Sequence, residues 1–174
     1  MWRHVAAAAG LILMSLAVAA AYVAEPQTPQ DFLDRLVLLV DGNAYEPHLR
    51  IGERNLRRAI RAEGIGADSL AVAFRWAAAR AYARAGEAAP GPREALAAND
   101  RLSDAYLELG GYYMERGRGA AFGLGRDEES LEAAERVAAC VVGLAPTRRR
   151  VAINAFLEEL EEELERPPAG RCEE

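Results

Sequence analysis

Two Tyr-x-x-x-Gly endings constrain this chain more than any other feature. Ala81-Tyr82-Ala83-Arg84-Ala85-Gly86 and Tyr113-Met114-Glu115-Arg116-Gly117 lie 31 positions apart, each closing an Ala/Leu-rich stretch. Alanine and leucine favour helix, and glycine is the residue that most often ends one. The second ending is preceded by Leu109-Gly110 and followed, one helix later, by Ala145-Pro146. Such punctuation predicts antiparallel helix-turn-helix units.

The rest of the chain has the same helical period. Asp31–Val40 carries Phe32, Leu33, Leu36, Val37 and Val40 at helical spacing, and Asp41-Gly42-Asn43 stops it. A second helix opens at Pro47 or His48, runs to about Glu63 and ends at Gly64-Ile65-Gly66. A third, capped by Asp68 or Ser69, runs to Ala85 and stops at Gly86. Pro92 starts a helix that either breaks at Asn99-Asp100 or continues to Arg116. Asp127 caps Glu128–Leu144, with acids in the first turn where the helix dipole favours them. Pro146-Thr147 opens a last helix to Glu165, with Pro167-Pro168 beyond it. No stretch alternates with period two. The predicted fold is all-α, about six or seven helices after an N-terminal apolar segment.

That segment is a separate object. Met1-Trp2-Arg3-His4 is basic, and Val5–Ala24 carries no charge. Small residues at Ala19-Ala20-Ala21 favour an export signal cleaved near Ala21. An uncleaved anchor is the alternative, because about 20 apolar residues just span a bilayer. A buried core helix is a third reading. Both export readings place residues 25 onward across the membrane, in the periplasm or anchored in the inner membrane facing it. Domain organisation follows: signal or anchor 1–24, linker 25–30, helical domain 31–166, flexible tail 167–174.

Charge narrows the function. The net charge is −6, with no lysine, so Schiff-base and phosphate-loop lysine chemistry are excluded. An acidic chain of this kind is a poor partner for nucleic acid. Cys140 and Cys172 either pair, as an oxidising compartment permits, or remain a helix cysteine and a free tail cysteine.

Aligning Tyr82 with Tyr113 also pairs Ala79 with Gly110 and Gly86 with Gly117. This pattern resembles the tetratricopeptide repeat, whose first helix carries a small residue, an aromatic three later and a turn glycine. Pro146 matches the proline that closes a unit, and Ala133 or Ala134 the small residue of its second helix. The likeness covers about residues 69–146. It departs from the family in its 31-residue spacing, in a glycine-rich insertion at Gly117–Arg126, and in Arg75 and Ala78 where bulkier apolar residues are common.

The resemblance implies an inner groove that holds a protein or peptide. The family's groove positions fall on Trp76, Arg80 and Arg84, and on Asp104, Leu107, Gly111 and Met114. A bland alternative places Trp76 in the core and the arginines in solvent. Arg50, Arg54, Arg58 and Arg61 form a basic helix face suited to anionic lipid, to an acidic partner, to the chain's own acidic last helix or simply to water. Phe122 and Leu124 in the glycine-rich loop read as a lid or as an insertion into a neighbour. That loop lacks the strand and the Gly-Lys-Ser/Thr of a nucleotide site.

Catalytic residues are sparse. Outside the signal the one histidine is His48, without an evident triad partner. The two cysteines show no zinc spacing, and no metal or cofactor is expected. The expected function is therefore a non-enzymatic interaction module, adaptor or scaffold, of the bacterial cell envelope. The alternatives are a membrane-anchored structural protein that uses residues 5–24 and the arginine helix, and an enzyme with an unrecognised carboxylate site.

Overall fold

The computed structural model describes residues 28–119, 127–144, 146–169 and 171–172. The expectations for residues 1–24, and for Phe122 and Leu124, fall outside the described residues. Six helices follow in order: α1 (Pro29–Val40), α2 (Tyr45–Gly64), α3 (Asp68–Glu87), α4 (Pro92–Gly117), α5 (Glu128–Val142) and α6 (Arg150–Leu164). Among the described residues there is no strand, and each helix packs chiefly on its chain neighbours, with α6 against both α4 and α5. No described helix is long and apolar enough to cross a membrane.

Local chemistry sets several helix ends. Thr28 and Asp31 form a reciprocal capping box ahead of α1, with Pro29 in the first turn. The Asp127 carboxylate accepts from the Ser130 backbone N–H and hydroxyl at the start of α5. Several ends differ from the sequence expectation. α2 starts at Tyr45 rather than at Pro47 or His48, and α3 has Ala67 rather than Asp68 or Ser69 at its cap position. Gly86 lies inside α3, which continues to Glu87. Of the two readings of Asn99-Asp100 the continuous one holds, and α4 runs unbroken from Pro92. Its two polar residues are instead used sideways: Asn99 donates to the Pro146 carbonyl, and Asp100 accepts from Thr147 Oγ1 and the Arg148 N–H, both at 2.7 Å. Those bonds hold Thr147 outside the last helix, so α6 starts at Arg150 rather than at Pro146-Thr147.

Residue pairings give the directions. Arg75 meets Glu63 and Glu108, so α3 runs antiparallel to α2 and to α4. Asp104–Arg149, Gly110–Phe156 and Arg118–Glu163 rise in the same order, so α6 lies parallel to α4.

The core is built on small residues that let helices approach. A Cβ placed on Gly52 would lie 2.4 Å from the Tyr82 ring, one on Gly110 2.4 Å from Phe156, and one on Gly117 2.6 Å from Leu131. Each glycine is thus the socket for a large side chain of a neighbouring helix. Ala78, Ala79, Tyr82, Leu109, Val137 and Ile153 form the centre of the main cluster, and Met114, Ala134, Ala138, Phe156 and Leu160 a second. Burial pushes the Tyr82 phenol up to about 12.

Cys140 and Cys172 are disulfide-bonded. The Glu135 carboxylate also accepts from both Arg166 Nη atoms, at 2.6 and 2.9 Å, and from the Ala169 N–H at 2.6 Å. The Arg166 guanidinium holds Glu135 below the ordinary carboxylate range, against burial. The segment expected as a flexible tail is therefore tied to α5 at Arg166, Ala169 and Cys172.

Candidate functional site

A cleft of about 340 Å³ lies where the start of α3, the end of α4 and the start of α5 converge. Val72 from α3, Tyr112, Tyr113 and Arg116 from α4, and Ser130 and Arg136 from α5 line it, together with the carboxylates of Asp127 and Glu129. Its two tyrosines are tied to Trp76, which lies behind them. Trp76 Nε1 donates to the Tyr113 hydroxyl at 3.4 Å, and the Tyr112 and Tyr113 rings meet edge to face, centroids 5.5 Å apart. Trp76 also meets Tyr106 edge to face at 5.9 Å.

A buried cation supports these rings. Arg75 pairs with Glu63 at 2.7 Å and with Glu108 at 3.6 Å, and its guanidinium carbon lies 6.0 Å from the Tyr112 ring centroid. Burial raises the Glu108 carboxyl above its ordinary range, while Arg75 pulls it back down. In sequence Arg75 reads as a departure from an apolar repeat position; folded, it joins α2, α3 and α4 beneath the tyrosines. At the rim, Arg116 donates to the Tyr112 hydroxyl at 3.2 Å and lies 3.8 Å from Asp127.

The groove residues expected from sequence are dispersed around this cleft. Trp76 is half-buried: it packs on the main core and contacts the cleft through Tyr113. Arg80 and Arg84 are exposed and follow Trp76 at four-residue intervals, the spacing of one helix face. Asp104 is engaged by Arg149 in a two-pronged ion pair, 2.6 and 2.8 Å. Leu107 packs against the core, and Met114 lies within it, 2% exposed. Gly111 is half-buried, with open space where a Cβ would sit. Sequence reasoning missed Tyr112, Arg116 and Arg136. A repeat alignment assigns a helix's inner face by register, and a one-residue difference moves that face by about 100°.

The basic face is partly neutralised at home. Arg50 binds Asp34 at 2.6 Å; Arg54 binds Asp34 at 2.8 Å and also Asp31. Of the partners foreseen for this face, the acids come from α1 and not from the last helix. Burial alone would raise the Asp34 carboxyl, but hydrogen bonds from Arg50, Arg54 and Gln30 hold it below the ordinary carboxylate range. Arg58 lies over the Phe74 ring at 5.9 Å, and Arg61 is exposed. His48 is buried with Nε2 2.9 Å from the Gly42 carbonyl, a tie between α2 and the preceding turn. The buried acids Asp31, Asp34 and Glu135 all face arginines. Among the described residues no group of three or more His, Cys, Asp or Glu has the arrangement of a metal site.

Compared with protein-family models, with curated proteins and with solved structures, the chain has no significant match.

Proposed function

We propose that the chain is a non-enzymatic protein-interaction module of the bacterial cell envelope, tetratricopeptide-like in its α3–α5 region. It holds a segment of a protein partner in the cleft between α3, α4 and α5. The observation that carries this reading is the pair Tyr112 and Tyr113 in the cleft, backed by Trp76, with Arg116 and Arg136 beside it. Aromatic rings and arginines are the side chains most often found as interface anchors. A small cleft with tyrosine rings and charges of both signs suits a peptide segment that sets an apolar or aromatic residue beside a charged one.

The tetratricopeptide likeness rests on the two Tyr-x-x-x-Gly endings and on sequential antiparallel packing of α3, α4 and α5. The continuous α4 fuses the second helix of one expected unit to the first helix of the next. The likeness is thus to the packing of the repeat rather than to its punctuation. The envelope reading rests on the sequence of residues 1–24, and a Cys140–Cys172 disulfide accords with an oxidising compartment.

The test is photo-crosslinking in cells from a probe at Tyr112, with a second probe at Glu161 on the exposed side of α6. A partner captured from Tyr112 and lost with Arg116→Glu/Arg136→Glu supports the cleft. Capture that is unchanged by the charge reversals, or equal from both probes, refutes it.

A further inference from the structure

Among the described residues, the outer face of α1 turns a run of large apolar side chains to solvent. Phe32, Leu33, Leu36, Val37, Leu39 and Val40 are all exposed, the last two at 81% and 91%. At helical spacing they fill an arc of roughly 160°. The opposite side carries Asp31 and Asp34, which are buried against Arg50 and Arg54. An amphipathic helix normally turns its apolar stripe to the core. Here the carboxylates turn inward, and rolling the helix over would part Arg50 and Arg54 from Asp31 and Asp34.

We propose that this face docks on an anionic lipid surface, with α1 lying at the boundary of headgroups and acyl chains. Three observations select that occupant. First, α1 follows the uncharged stretch Val5–Ala24 closely, and Glu25-Pro26-Gln27 reach at most about 10 Å. A membrane that receives residues 5–24 is therefore within reach of α1. Second, charge is complementary. The pairs Asp31–Arg54 and Asp34–Arg50 set α1 antiparallel to α2, so the α2 stripe continues past the start of α1 as Arg57 and Arg61. Both are exposed and make no ion pair among the described residues. Third, the face is a single 12-residue helix, about 18 Å long, so a second copy seated on it alone would make a contact only one short helix wide. The apolar residues are on α1 and the arginines on α2, so the two helices together present the apolar and basic groups that an anionic membrane interface takes.

The proposal goes beyond the cleft reading and does not depend on it. Its choice of lipid rests on the membrane or export reading of residues 5–24.

The experiment places a fluorescent reporter on the face. Val40→Trp is made in the full chain with Trp2→Phe, and vesicles carry phosphatidylglycerol with bromine-labelled acyl chains. A second reporter, Val151→Trp on the exposed side of α6, controls for tethering alone. Quenching from Val40→Trp and not from Val151→Trp is the expected result, and Phe32→Glu/Leu36→Glu abolishes it. Arg57→Ala/Arg61→Ala weakens partitioning about 30-fold, roughly fivefold for each arginine near an anionic surface. The substituted positions are exposed, so the melting temperature stays unchanged and loss of signal reports docking. Equal quenching at both reporters, or none at Val40→Trp, overturns the proposal. So does a vesicle-free dimer that Phe32→Glu/Leu36→Glu dissociates, which would make a second copy the occupant. Protease accessibility in cells reads the export assumption separately: a cytoplasmic chain whose reporter is still quenched in vesicles removes that assumption and leaves the docking surface.

Discussion

The α1–α2 junction and the α3–α6 body are joined by opposite chemistry. Across α1–α2 the contact is two carboxylates against two guanidinium groups, with the apolar side of α1 turned outward. Across α3–α6 the centre of the contact is apolar, with Gly110 and Gly117 receiving Phe156 and Leu131, and ion pairs such as Asp104–Arg149 lie at its edge. The body excludes water from tightly interlocked side chains, so a defect there spreads through the core. The junction depends on charges near the surface, so it can separate while the body stays folded. Equal helical periodicity in the two regions therefore does not mean equal roles.

Substitutions that attack each region should separate them. Tyr82→Ala removes a fully buried ring from the body and lowers global stability by about 3–5 kcal/mol, read as a single loss in denaturant midpoint. Cys140→Ser/Cys172→Ser costs about 3.7 kcal/mol on the chain-entropy view of a loop whose ends are 32 positions apart. Local amide exchange should show the Ala169 N–H, which Glu135 accepts, opening first. If either substitution released α1 ahead of the body, the division into two regions would be wrong.

At the junction, Asp34→Ala leaves Arg50 and Arg54 short of a partner. Loss of a buried partner costs about 3–5 kcal/mol, reduced here to about 2 because Arg50 is partly in water. The expected readout is loss of exchange protection across Pro29–Val40, with the melting of α3–α6 nearly unchanged. Acid should do the same. Asp34 is held below its ordinary range when folded, so the unfolded chain takes up that proton first. The stabilisation is present above the ordinary carboxylate range and fades as pH falls below about 4 and through the lowered folded value. Protection of α1 that persists at pH 2 would break the ion-pair account. The smallest effect belongs to Asp104→Ala, which removes an exposed pair with Arg149 and shifts stability by less than about 1 kcal/mol.

Much of the body was legible in the sequence. Periodicity located all six helices, and Pro92 and Asp127 marked two starts correctly. The ends failed where a polar residue was used across the structure. Asn99-Asp100 leaves a break or a continuous helix open, because such side chains compete for local backbone groups. In the fold they are occupied by Pro146, Thr147 and Arg148, so α4 runs through. The cleft was legible in part. Trp76 was singled out, but Tyr112, Arg116 and Arg136 emerge only when three helices converge. Arg75 looked like a defect in a repeat and is a support beneath the tyrosines.

By itself the sequence determined the helical class, the sites of chain reversal and the amphipathic character of α1, because these follow from local propensity and spacing. Tertiary structure alone decided which glycines are sockets rather than stops, that Cys140 meets Cys172, and which side of α1 faces the protein. Those outcomes depend on residues distant in the chain. Gly52 is a socket because Tyr82 fills it, and the apolar face of α1 is outward because Arg50 and Arg54 hold its carboxylates inward.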